Sequence, residues 1–130
     1  MAFSARTFLI ADGDEQQRAT EREAVGDLDG SQIVGEACTG PDAVQLAEAL
    51  QPDVVLIGAR MPFLSGVEAI PAIKGRSPRS RIIVLLPRAA AAGARTAQQL
   101  GAHIVFGRTR GRLAQSLEVA LEEDGEGAYG

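Results

Sequence analysis

Asp53-Val54-Val55-Leu56-Ile57-Gly58-Ala59-Arg60-Met61-Pro62 is the stretch that decides how this chain is read. It is short, apolar and β-branched, and Gln51-Pro52 and Met61-Pro62 bound it, as expected of a strand buried on both faces of a parallel sheet. In open α/β sheets the chemistry gathers just beyond the carboxyl ends of such strands. This run reaches that end on Gly58, which offers the crevice no side chain.

Outward from it, similar runs recur at Thr7–Ala11, Gln32–Ala37, Arg81–Leu86 and His103–Phe106. Helix-like segments separate them, and that alternation signals an α/β fold with a parallel sheet covered by helices. Asp14 is placed to cap the first helix. Its sheet-facing positions include Gln17, Thr20 and Glu21 beside Ala24, Val25 and Leu28, which fits poorly. A buried carboxylate needs a partner, so Glu21 is expected to reach solvent or an arginine. The competing reading is that this face meets a partner. Gly40-Pro41-Asp42 opens the second helix with proline in its first turn, and Val44, Ala47 and Leu50 form its stripe. Pro71 should kink the third helix or delay its start. The fourth runs from about Ala89 to Leu100 and is alanine-rich. The fifth carries Leu113, Leu117, Ala120 and Leu121 on one stripe. Lys74 to Arg81 reads as a solvated basic connector.

The 130 residues, 45% hydrophobic and 23% charged, make one soluble domain over residues 1–121. Residues 122–130, with three glycines and four acids, read as a disordered tail. No segment has the ~20 apolar residues that span a bilayer, and the first six residues lack the features of a signal peptide. Cys38 is the only cysteine and His103 the only histidine, which suits a reducing cytoplasm and offers no metal cluster. A net charge of −4 argues against nucleic-acid binding by this chain itself.

Phe8-Leu9-Ile10-Ala11-Asp12, Val34-Gly35-Glu36-Ala37, Gly40-Pro41-Asp42-Ala43-Val44, Pro52-Asp53-Val54-Val55-Leu56, Arg60-Met61-Pro62 and Gly66-Val67-Glu68-Ala69 stand in one order and spacing. Over residues 6–121 that pattern resembles response-regulator receiver domains, especially those heading LuxR-type (NarL/FixJ-like) transcription regulators. The resemblance implies a doubly wound, CheY-like sheet of five parallel strands in the order 2-1-3-4-5, flanked by five helices. It also implies a phosphorylation pocket. In working relatives, paired acids after the first strand and an aspartate ending the third hold Mg²⁺ through oxygen. That aspartate takes a phosphoryl group, with a lysine after the fifth strand offsetting charge. A hydroxyl ending the fourth strand and an aromatic residue in the fifth complete the switch.

Against that pattern only Asp12 matches. The second acid is Gly13, the acceptor Gly58, the hydroxyl Leu86, the lysine Arg108 and the switch aromatic Val105, with Phe106 on the opposite side of its strand. One carboxylate makes a poor Mg²⁺ site, so no metal or cofactor is expected, and no catalytic residue. Asp14, Ser65 and Asp53 are unsuited as substitute acceptors: the first two read as cap or turn residues, and the third opens its strand at the far end. The losses have a physical rationale. Crowded carboxylates repel by about 4 kcal/mol per close pair at an effective dielectric near 20. Leu86 is expected to fill the vacated crevice and Arg108 to pair with Asp12.

The expected function is therefore a pseudo-receiver, a non-enzymatic signalling module acting by phosphorylation-independent protein–protein interaction. Its interaction face, and a homodimer contact, would lie on the fourth helix, fifth strand and fifth helix, with Arg95, Gln99, Arg108, Arg110 and Arg112 as contacts. Two alternatives stay open. One is a small-molecule sensor using the space at Gly13 and Gly58, walled by Leu86 and Val105. The other is a phosphorelay receiver with a non-standard acceptor. A flavodoxin-type electron carrier is set aside, because Asp12-Gly13-Asp14-Glu15 would repel a phosphate and the sequence offers no stacking platform.

Overall fold

A computed structural model describes residues 6–58, 61, 66–87, 91–106 and 110–122, with side chains for all of these except 66, 91, 92, 106, 110 and 111. The elements alternate as the sequence suggests: β1 Arg6–Ala11, α1 Glu15–Gly26, β2 Ser31–Ala37, α2 Gly40–Leu50, β3 Val54–Gly58, α3 Gly66–Arg76, β4 Arg81–Leu86, α4 Ala91–Gln99, β5 His103–Phe106 and α5 Arg110–Glu122. The strands form one parallel sheet in the order β2-β1-β3-β4-β5. This is a doubly wound, CheY-like architecture. Helix α5 continues through Glu122, one residue into the segment read as a tail, and the remainder of that segment lies outside the described residues.

All five residues of β3 are buried, because strands on either side and helices on both faces cover them. Successive side chains alternate between the faces. Val54 and Leu56 join Phe8, Ile10, Ile83, Leu85 and Val105 in a layer closed by Ala24, Val25 and Leu28 around α1 and by Leu113, Leu117 and Leu121 of α5. Val55 and Ile57 join Leu9, Ala11, Ile82, Val84 and Leu86 under Ala43, Val44 and Ala47 of α2, Ile70 and Ile73 of α3, and Ala94 and Ala97 of α4. Leu50, expected in the α2 stripe, is 38% exposed. It lies over Gly35, where an added Cβ would come within 2.9 Å of Leu50 Cδ1.

Local signals set the helix starts. Asp14 Oδ1 accepts from the Gln16 and Gln17 N–H groups at 2.9 and 3.2 Å, and Thr39 Oγ1 accepts from Asp42 N–H at 3.2 Å. Helix α2 ends on Gln51, in the left-handed region at φ 46°. Its side-chain amide donates to the Glu48 and Arg76 carbonyls at 2.8 and 2.9 Å, which offsets the cost of that conformation and ties the ends of α2 and α3 together.

Three sequence expectations are corrected here. Pro71 does not delay α3, which begins five residues earlier at Gly66 and runs on to Arg76. The ring sits at an exposed position, the sixth of the helix, where it leaves the Val67 carbonyl without its intrahelical donor. The stretch from Lys74 to Arg81 is not a solvated connector either. Lys74 to Arg76 finish α3, Arg81 begins β4, and Ser77 and Ser80 between them are buried. Their hydroxyls pair at 2.6 Å, and Ser80 Oγ donates to the Pro52 carbonyl. Finally, of the two expectations for Glu21, solvent or an arginine, the first fails: its side chain is fully buried. The chain itself covers that part of the α1 face.

Candidate functional site

The carboxyl ends of the strands bring four of the singled-out positions to one edge of the sheet. Ala11 pairs with Ile57, so Asp12, the next residue, stands beside Gly58. Gly58 pairs with Leu85, and Leu85 with Val105. Asp12 is 2% exposed. Its N–H donates to the Ala37 carbonyl of β2 at 3.0 Å, and its own carbonyl accepts from Arg18 Nη1 at 2.9 Å. Carboxylate oxygen Oδ1 accepts from Asp14 N–H at 2.9 Å. Oxygen Oδ2 is buried and has no hydrogen-bond partner among the described residues.

That carboxylate lies over Gly58. A Cβ built on Gly58 would stand 2.7 Å from Asp12 Cγ and 3.1 Å from Oδ1, with Oδ2 closer still. The three nearest atoms all belong to Asp12. The space left by the glycine is therefore taken by Asp12 and not, as expected from the sequence, by Leu86. Leu86 is buried in the α2–α4 layer with Ile82 and Val84. The two-residue period of β4 points it there, a signal already present in the sequence. Val105 faces the opposite layer, packed with Leu85, Leu113 and Leu117. The two apolar residues thus fill the core on opposite faces of the sheet and do not wall one pocket.

Gly13 is exposed. Arg108 and Ser65 lie outside the described residues, so the expected Arg108–Asp12 pair does too. Arg95 and Gln99 are exposed one turn apart on α4, and Arg112 is exposed on α5 across the sheet. The Arg110 side chain is outside the described set. Asp53 is at the opposite end of the sheet, where its Oδ2 accepts from Thr7 N–H at 2.8 Å and from Thr7 Oγ1 at 3.1 Å. It anchors β3 to β1 and is remote from the crevice.

Sequence reasoning missed the group that braces Asp12. Arg22 makes a two-pronged contact with Glu36 of β2, Nε to Oε2 at 2.8 Å and Nη2 to Oε1 at 2.9 Å. Arg18 Nε lies 3.4 Å from the same carboxylate while its Nη1 holds the Asp12 carbonyl. The hydrogen bonds from Arg22, followed by the charges of both arginines, hold the Glu36 carboxyl below its usual range, against the pull of partial burial. The same contact raises Arg22. Arginines one helical turn apart, with an acid near the carboxyl end of the next strand, were the available signal.

Magnesium, which the receiver resemblance implies, needs several converging oxygens. Asp12 supplies one carboxylate, Gly13 and Gly58 supply none, and Asp14 is engaged as a helix cap. Among the described residues no three His, Cys, Asp or Glu side chains are grouped to hold a metal ion. The residues present do not fit the ion.

Comparison with known proteins places this geometry. The model of the response regulator receiver domain matches residues 8–107. The response regulator GacA of Pseudomonas aeruginosa is 34% identical over 77 residues, which cover 59% of this chain and 36% of GacA. The matched stretch thus spans about a third of the length of that relative. Among solved structures, the receiver domain of NarL from Mycobacterium tuberculosis superposes with a TM-score of 0.82 at 22% identity, covering 94% of this chain and all of that one. A LuxR-family two-component response regulator from Aurantimonas sp. gives 0.81 at 25% identity, covering 92% of this chain and 86% of that one. The chain belongs to the response regulator receiver domain family.

Proposed function

We propose that this receiver domain signals without being phosphorylated, as a fixed protein-interaction module whose acceptor position has been given up. One observation carries the reading: the strand that should end on a nucleophile ends on Gly58, and the Asp12 carboxylate lies where that side chain would be. Phosphoryl transfer needs a nucleophile, a charge stabiliser and the donor to coincide in one geometry. Asp12 has Oδ1 engaged by Asp14 N–H and its backbone held on both sides, and so is poorly placed to attack.

Leu86 and Val105 support the same reading. Active receivers switch by moving a hydroxyl and an aromatic residue at these positions, so that modification shifts a two-state equilibrium. Here both are apolar and buried in the core, with nothing to bond an incoming oxygen. The face from α4 through β5 to α5 is then held in one state, presenting Arg95, Gln99 and Arg112 to a protein partner, or to a second copy. The relatives suggest that the chain serves as the receiver part of a cytoplasmic transcription regulator. Occupation of the Gly58 space by Asp12 counts against small-molecule sensing there, and Leu86 and Val105 on opposite faces of the sheet do not supply its wall.

The test is incubation with acetyl phosphate and Mg²⁺, followed by intact mass under conditions that preserve acyl phosphates. No adduct is expected, alongside full labelling of a competent receiver, and millimolar Mg²⁺ should leave the melting temperature unchanged. A stoichiometric phosphoryl adduct would overturn the reading.

A further inference from the structure

We infer that Asp12 is the resident occupant of this crevice, an autoinhibitory contact in which the chain fills its own acceptor pocket, and that Gly58 is glycine because of it. The inference rests on the reading above and deepens it. Gly58 is not required by its backbone: it lies within β3, and the positive-φ glycines among the described residues are Gly30 and Gly101. A glycine inside a strand weakens it, and commonly marks a close approach by another group. The approaching group here is the Asp12 carboxylate, with its Cγ at 2.7 Å from the missing Cβ.

Asp12 is held at its main chain and at one carboxylate oxygen. Its main chain is bonded to Ala37 on one side and to Arg18 on the other, and Arg18 is in turn held by Glu36. The Asp14 N–H fixes Oδ1. The remaining oxygen, buried and without a hydrogen bond among the described residues, is turned toward the glycine. An anion arriving from outside, inorganic phosphate or the phosphoryl group of a donor, therefore meets a filled site of like charge. Any side chain placed at position 58 must first displace Asp12.

A double-mutant cycle on the whole chain tests the contact: wild type, Gly58→Ala, Asp12→Ala and the double variant, each followed by thermal unfolding. Gly58→Ala alone should lower the melting temperature by several degrees, on the order of 5 °C. In the Asp12→Ala background the same substitution should cost nothing or raise it. Should Gly58→Ala fail to fold while the double variant folds, the result is the same coupling in stronger form. An equal loss in both backgrounds, or no loss in wild type, would overturn the inference. No phosphodonor or metal is present, so an adduct in the labelling experiment would defeat the functional reading without altering the outcome of this cycle.

Discussion

The two ends of the sheet treat polar groups in opposite ways. At the amino end, where strands enter, polar side chains are paired with one another, whether solvent-accessible as at Thr7 and Asp53 or buried as at Ser77 and Ser80. Thr7 and Asp53 exchange hydrogen bonds, Asp53 N–H to Thr7 Oγ1 at 2.9 Å and Thr7 N–H back to the carboxylate. Ser77, Ser80 and the Pro52 carbonyl close a second network, and Arg81 Nη1 reaches the Leu121 carbonyl at 3.1 Å to finish α5. At the carboxyl end a carboxylate is buried with one oxygen unbonded among the described residues, against a glycine that weakens its own strand. Buried polar groups are normally satisfied, and the Asp12 oxygen departs from that rule at the edge of the sheet where α/β folds gather their chemistry. On the function proposed above, the amino end is built for stability and the carboxyl end is an inherited site that has been filled in.

The largest effect should come from the amino end. Ser80→Val strips the hydroxyl from the buried Pro52 carbonyl and leaves Ser77 Oγ only its 3.5 Å bond to Gln51 Oε1, and should cost about 1–3 kcal/mol. Urea unfolding would show a lower midpoint at unchanged slope. Asp12→Asn, at the other end, keeps an oxygen for Asp14 N–H and removes the buried charge. Its effect should stay within about 1 kcal/mol in either direction. A loss as large as that of Ser80→Val would break the contrast, by showing that the carboxyl end depends equally on its polar contacts.

The smallest effect concerns the brace behind Asp12. The folded-state Glu36 carboxyl is depressed by Arg22, so its contribution is present at neutral pH, above its ordinary value near 4.5, and is lost as pH falls through the lower folded value. Glu36→Gln should therefore leave a shallower acid limb in a plot of stability against pH, with a slight change near pH 7, since the pair is largely exposed. A larger loss at pH 7 than at pH 4 would agree with this sign, and the reverse would refute it.

Much of this was legible in the residues. Apolar runs of strand length, separated by helices opening on Asp14 and on Gly40-Pro41-Asp42, lead to the observed element order, because strand and helix periods and caps are local properties. That β3 ends on Gly58 was equally plain. Two misreadings were avoidable. Ile82, Val84 and Leu86 alternate onto one face, which rules out Leu86 as a crevice filler, and Ser77 with Ser80 flanking a strand start invites a buried turn.

The rest had no local signal. Thr7 and Asp53 are 46 positions apart, Ser80 and Pro52 28, and Arg22 and Glu36 14. No window of sequence joins them. By itself the sequence determined the strands, the helices, the receiver pattern and the identity of each residue at the crevice, since these follow from composition, period and order along the chain. Only the tertiary structure decided that Glu21 is interior, that Arg18 and Glu36 brace Asp12, and that Asp12 lies over Gly58. Each of those depends on how parallel strands register side by side, and register brings together atoms whose separation along the chain says nothing of their distance in space.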